Sequence, residues 1–295
     1  MRARGAFFTV LSAVLSGVTP AFAKLIYADG VNTETLVFFR NFFAILPLLL
    51  ICLWQKCSFR LSARQGVQLL LSGVLGQTLT VLMLYASYHY VPIATATTLH
   101  FMYPIFITLI CALVFHEHMT WFRLVALGAA TLGVGCFVDL GAGSDMSGMS
   151  LALLSALTFA YYMVSVEKTG LNRLHPFVIT LYFAVIISVT IFAYGMARGE
   201  LQFAFPPQTY GKMMLFSLLT SVAALGLLQL GIRLLGAADA AILCMFEPLT
   251  SFLAGVLLLG EELSLLKAAG SVLILGAVLF MILMNRFSLS KGRQR

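Results

Sequence analysis

Glu247 is the residue in this sequence that most demands a chemical explanation. It stands about halfway along an apolar stretch, 238–259, with apolar neighbours on both sides. An acid at the centre of a bilayer costs about 2.5–3.5 kcal/mol on insertion scales. An acid retained there can carry a proton or pair with a cationic substrate; a hydrogen-bonded structural Glu is the plainer reading. Tyr103 occupies the position 144 residues earlier, and Pro104 follows it as Pro248 follows Glu247. Each proline lacks an N–H and removes the helical bond to the carbonyl four residues back, at His100 and Cys244. Either proline alone reads as a packing kink, whereas two interrupted helices at matched places point to a transporter's central site. His100 lies one turn before Tyr103. His100, Tyr103 and Glu247 are therefore expected to face one cavity.

Other polar residues inside apolar stretches are fewer and weaker. Arg40 follows Glu34 by six residues, in the outer third of its stretch. It can draw an anionic group into a vestibule, although snorkelling or binding of backbone carbonyls is the structural reading. Gln77, Tyr85, Tyr161 and Gln229 complete the set expected to line a substrate cavity. Each has an ordinary role as hydrogen-bonding glue between membrane helices. Tyr85 and Gln229 again stand 144 apart, which raises both. Glycines 73, 76, 128, 133, 226 and 231 suit close helix contact. No catalytic, metal or cofactor site is expected. His116-Glu117-His118 lacks the i, i+4 histidine spacing of a zinc protease. Ser288-Leu289-Ser290-Lys291 and Lys168-Thr169-Gly170 imitate penicillin-binding signatures in the wrong order and with no domain to hold them. Five cysteines, an odd number with no CxxC pair, predict neither a disulfide framework nor a zinc site.

The elements that must position these residues follow from composition. Of the 295 residues, 61% are hydrophobic and 10% charged, against about 45–50% and about 25% in soluble proteins. Too few charges remain to cover a water-facing surface, so most of the chain lies in a bilayer. Spans of about 20 apolar residues fall at 6–28, 33–54, 65–89, 93–115, 120–140, 149–170, 175–197, 210–235, 238–259 and 263–285. With the amino terminus inside, thirteen of the 18 Lys and Arg residues fall on inner ends and four on outer ends, with Arg40 within a helix. That bias predicts ten crossings with both termini cytoplasmic. The net charge of +7 is then topological and implies no nucleic-acid partner. Met1–Arg4 with the apolar run to Ala23 imitates a signal peptide; an uncleaved first helix is expected, because the segment has a partner later in the chain.

That partner belongs to an internal repeat. Residues 94–137 align without a gap on 238–281, matching Pro104 to Pro248, Glu117 to Glu261, Thr120 to Ser264 and Arg123 to Lys267. Leu11-Ser12-Ala13 matches Leu154-Ser155-Ala156 at a shift of 143. The expected organisation is a first five-helix repeat at 1–140, a linker at 141–148, a second repeat at 149–285 and a basic cytoplasmic tail at 286–295. Five is odd, so the halves insert in opposite senses. The fold class is all-α integral membrane, ten helices in two inverted repeats, an architecture of secondary transporters.

The halves, running from Tyr103-Pro104 to His116-Glu117 and from Glu247-Pro248 to Gly260-Glu261, resemble the duplicated EamA-type domain of the drug/metabolite transporter superfamily. Phe38-Phe39-Arg40-Asn41-Phe42-Phe43-Ala44 is similar to the Arg-containing second helix of that family's first half. The resemblance covers roughly 6–285, with one departure: His116 stands where the second half has Gly260. It implies an exporter or exchanger of small polar metabolites, amino acids or drugs in the cytoplasmic membrane. The expected partners are a small-molecule substrate, membrane lipids and a coupling proton, and the expected assembly is a monomer or weak homodimer. Multidrug or cationic-compound efflux and a passive channel are the competing functions. A nucleotide-sugar carrier would need several cavity cations for phosphate, and Arg40 alone lies mid-helix. An intramembrane enzyme would need a convergent nucleophile, base and oxyanion site, which these residues do not assemble.

Overall fold

The computed structural model describes residues 2–91, 93–136, 145–259 and 265–292. Ten helices follow one another: α1 (Arg2–Tyr27), α2 (Thr33–Trp54), α3 (Ala63–Ser87), α4 (Ile93–His100 then Tyr103–Leu113) and α5 (Trp121–Gly135), then α6 (Met146–Lys168), α7 (Pro176–Arg198), α8 (Pro207–Leu235), α9 (Ala237–Cys244 then Glu247–Leu259) and α10 (Leu265–Gly292). Among the described residues nine helices are long and apolar enough to cross a bilayer, and α5 is a shorter apolar helix of 15 residues. No strand occurs among the described residues. Large apolar side chains such as Leu46, Leu132, Val189 and Leu257 point outward from the bundle, as a lipid solvent requires.

Helix ends are set by local chemistry. Asn32 caps α2 by accepting from Thr35 N, and Ser62 with Gln65 forms a reciprocal capping box on α3. Pro176 and Pro207 open α7 and α8, where a missing N–H costs nothing. Asp145 accepts from Ser147 N at 2.7 Å and starts α6 at Met146, three residues before the expected 149. The second half of the expected linker is therefore capped helix. At the other end α10 runs on through Gly292, where a tail from 286 was expected; no Pro or Gly intervenes to stop it. His116 has φ +52°, the left-handed region that favours glycine, and Gly260 is its repeat partner. Gly260, Glu261, Glu262, residues 137–144 of the first repeat's end and linker, and the last three residues lie outside the described ones.

The two halves interlock rather than sit side by side. The most extensive helix contacts pair α2 with α7, α5 with α10, α1 with α8 and α9, and α6 with α3 and α4. Second meets second, fifth meets fifth, and each first helix packs on the third and fourth of the other half. Such reciprocity is what a pseudo-two-fold axis produces. The equivalent pairs α2–α7 and α5–α10 run antiparallel. Asn32 Nδ2, at the start of α2, donates to the Glu200 carbonyl just past the end of α7 at 2.5 Å. Tyr182 of α7 donates to the Phe59 carbonyl beyond the end of α2 at 3.0 Å. Trp121 opens α5 and lies 5.9 Å, ring to ring, from Phe280 late in α10. Antiparallel pairing of equivalent helices is the inverted arrangement that the odd helix number requires.

Candidate functional site

The fourth helix of each half is broken at the same place. In α4 the break falls at Phe101-Met102, where Met102 N turns to Leu99 O at 3.1 Å; in α9 it falls at Met245-Phe246, where Phe246 N turns to Leu243 O at 3.2 Å. The breaks lie 144 residues apart, each two residues before its proline, and they bring Tyr103 and Glu247 to the starts of fresh segments. The third helices carry a matched irregularity that the sequence reading missed. Ser72–Thr78 in α3 and Leu218–Ala224 in α8 widen to π-helical bonding, a form frequent at functional sites.

These irregular helices enclose a central chamber of about 200 Å³. Ser12 and Ser16 of α1, Arg40 of α2, Gln77 and Tyr85 of α3, and His100 and Tyr103 of α4 line it from the first half. Phe159 of α6, Leu225 and Leu228 of α8, and Cys244 and Glu247 of α9 line it from the second. Val81 and Tyr85 also line a wider vestibule of about 570 Å³, whose other walls include Tyr27, Glu34, Tyr88, His89 and Tyr194. The vestibule lies at the end of the bundle that carries the α1–α2 turn, so the chamber is approached from that end.

The polar groups of the chamber divide into held and unheld. His100 Nδ1 lies 2.9 Å from Ser155 Oγ, which itself lies 2.6 Å from the Ala152 carbonyl. With the serine proton given to that carbonyl, the imidazole donates Nδ1–H to Ser155 and keeps Nε2 for the chamber. Ser12, the repeat partner of Ser155, donates to the Ala224 carbonyl at 2.7 Å. Thr250 Oγ1 bonds the carbonyl of Glu247 at 2.8 Å, and α1 presses against the same turn at Gly17. A methyl on Gly17 would stand 2.6 Å from the Glu247 carbonyl oxygen. The Glu247 carboxyl itself, half-buried, has no hydrogen bond or ion pair among the described residues. Arg40 Nε is buried without a hydrogen-bond partner. Among the described residues no cluster of His, Cys and acidic side chains is arranged to hold a metal.

Toward the amino-terminal end the chamber is shut in layers. Phe159 and Tyr103 meet edge to face at 4.8 Å. One turn below, Gln229 Nε2 donates to the hydroxyl of the fully buried Tyr162 at 2.5 Å. At the end itself Arg123 of α5 grips Asp239 of α9 at two points, Nε to Oδ1 at 2.6 Å and Nη2 to Oδ2 at 2.9 Å. Lys168 bridges Glu117 and Glu167, and Glu167 accepts from Ala237 N, the first N–H of α9, at 2.6 Å. Each of these ties joins one half to the other, except the bond between neighbours Lys168 and Glu167 and the Gln229–Tyr162 and Glu167–Ala237 bonds within the second half.

Of the residues expected in the cavity, Glu247, His100, Tyr103, Tyr85 and Gln77 line the chamber, and Arg40, expected in a vestibule or a structural role, lines it too. Gln229 does not; it lies in the closed floor, 2% exposed. Tyr161 also stays outside, and its neighbour Tyr162 takes the inward position, one residue being a 100° turn of the helix. Pro104 and Pro248 sit buried just past the breaks. Ser155 as the partner of His100, Phe159 and Cys244 as chamber walls, and the Arg123–Asp239 pair carry no local mark of those roles in the sequence, although the Leu-Ser-Ala match makes Ser12 and Ser155 equivalents.

Comparison with known proteins agrees with this geometry. The chain is 25% identical over 292 residues to the uncharacterized transporter YcbK of Bacillus subtilis, an alignment covering 95% of this chain and 92% of that one. It is 32% identical over 189 residues to the pseudopaline exporter CntI of Pseudomonas aeruginosa, covering 61% of this chain and 63% of that protein, less than two thirds of its length. A solved crystal structure superposes with a TM-score of 0.80 over 97% of this chain and 99% of its own, at 16% identity, which speaks for the fold alone. The sequence profile of the EamA-like transporter family matches twice, at residues 3–138 and 146–283. The chain belongs to the EamA-like transporter family, as a multi-pass membrane protein built of two EamA repeats.

Proposed function

We propose that this chain is a secondary transporter that exports small organic metabolites, amino acids or related solutes, across the cytoplasmic membrane by alternating access. One observation carries the reading: a chamber lined by both repeats is approached from one end and closed in layers at the other. Repeat equivalence supports it further. Tyr85 faces the open vestibule, while its equivalent Gln229 lies buried in the closed floor. Exchange of the two local conformations between the halves would open the floor at Gln229 and close the vestibule at Tyr85. The excess of Lys and Arg supports a cytoplasmic amino-terminal end, and in that orientation the present state faces outward. The export named for CntI is the direction we carry over to this chain.

Glu247 is the group we assign to proton coupling, since its carboxyl has no protein partner to hold it ionised. Reconstitution in vesicles tests both parts. Accumulation of amino acids, nucleosides and cationic dyes is measured with and without a pH gradient, in the wild type and in Glu247→Gln. The expected result is transport of some members above empty vesicles, with pH dependence lost in the variant. Unchanged pH dependence removes Glu247 from the role, and a panel that moves no faster than in empty vesicles removes the transport reading. Efflux of purely cationic compounds is the second reading, favoured by the unpaired carboxylate and opposed by Arg40 in the same chamber.

A further inference from the structure

We infer that the chamber selects a small zwitterion, whose anionic group docks on Arg40 and whose ammonium group docks on Glu247. The inference rests on the transport reading and adds the charge pattern of the substrate. Arg40 and Glu247 line one chamber of about 200 Å³, and neither is neutralised by the protein among the described residues. Several buried or half-buried charges elsewhere in the chain are paired: Arg123 meets Asp239 at 2.6 Å, Lys168 meets Glu167 at 2.8 Å, and Lys212 meets Asp29 at 2.8 Å. An uncompensated charge out of water is costly. Two of opposite sign that share a cavity without meeting each other make a site for a molecule bearing the complementary pair.

The chemistry of each end is distinct. A guanidinium offers planar N–H donors that match a carboxylate, and Arg40 Nε is buried without a hydrogen-bond partner. Ionised Glu247 offers acceptors only, with Tyr103 and Cys244 beside it as part of the same wall. A simple cation satisfies Glu247 but meets repulsion from Arg40, and a simple anion meets the reverse. The volume corresponds to about seven water molecules at roughly 30 Å³ each, which admits a molecule of amino-acid size. Arg40 belongs to the first repeat and Glu247 to the second, so a bridging zwitterion also draws the halves together, as closure of an outward-facing chamber requires.

The test uses the full chain in vesicles preloaded with unlabelled solute and compares charge variants of single skeletons: leucine with leucinamide and N-acetylleucine, and 6-aminohexanoate with its amide and N-acetyl derivative. The second skeleton covers a wider separation of the two charges. The expected result is that, for at least one skeleton, the zwitterion competes about tenfold or more better than both derivatives, the value of one charge-assisted contact. Arg40→Gln is expected to erase the preference over the amide, and Glu247→Gln the preference over the N-acetyl form. A derivative that competes as well as its zwitterion on both skeletons in the wild type overturns the inference even if neither variant folds. Transport of nucleosides or dyes with no response to either zwitterion also overturns it, while leaving the transport reading intact. Failure of every compound sinks both.

Discussion

Asp239→Asn should unlock the amino-terminal end of the bundle. The substitution keeps the side chain's size and removes the charge that holds Arg123 across the halves. Asp239 is 1% exposed and Arg123 18% exposed, so the arginine is left largely buried opposite a neutral amide. Breaking a buried pair from one side costs about 3–5 kcal/mol. Arg123 keeps some access to water, which places the cost near the lower figure, about 3 kcal/mol. An open amino-terminal end hydrates both groups and escapes most of that cost. At about 1.4 kcal/mol per tenfold, the open population should rise on the order of a hundredfold. The assay is a single reporter, Gln229→Cys, in a background with the native cysteines replaced, labelled by a membrane-impermeant thiol reagent from the amino-terminal side. Labelling should be slow in the parent, faster by one to two orders of magnitude with Asp239→Asn, and slow again in the charge swap Arg123→Asp with Asp239→Arg. Equal labelling rates in parent and Asp239→Asn would refute the assignment of this pair to closure.

Two further outcomes follow from packing and charge. Gly17→Ala should lower the melting temperature of the purified protein and its transport rate, because the new methyl meets the Glu247 carbonyl at 2.6 Å, a backbone atom that cannot rotate away; overpacking of this kind costs about 1–3 kcal/mol. At the vestibule end, hydrogen bonds from Lys212 and Thr209 hold the Asp29 carboxyl below the usual carboxylate range. Its contribution is therefore present above the unfolded carboxylate pKa of about 3.9 and is lost as pH falls through the lower native value. Lys212→Gln should melt below the wild type at pH 7, and the two melting temperatures should converge in strong acid; a difference that persists there contradicts the ion-pair account.

The sequence made legible what its repeat encodes and concealed what the conformational state decides. A matched pair of prolines foretold breaks that fall 144 residues apart at 101–102 and 245–246. The span 33–54 coincides with α2 because Asn32 caps its start and polar residues follow its end. Repeat equivalence does not give Gln229 the surroundings of Tyr85: two equivalent residues share a fold position, but in this structure Tyr85 lines the vestibule and Gln229 lies buried in the floor. The sequence does not show which of Tyr161 and Tyr162 turns inward, because a helix apolar on all sides has no inward face legible in its residues, and lipid accepts what a core accepts. The pair Arg123–Asp239 spans 116 residues and joins different halves; nothing local in either segment records that α5 and α9 meet. The π-helical segments leave no compositional mark beyond their Gly, Ser and Thr content.

Counterflow tests the central claim most directly. Vesicles carrying the full chain are loaded with a high concentration of unlabelled solute and diluted into a trace of the same solute in labelled form. A carrier that exposes its chamber to one side at a time predicts that label accumulates transiently above its equilibrium level and then decays. Label that rises monotonically to equilibrium, with no overshoot at any loading, would mark an open pathway and contradict alternating access.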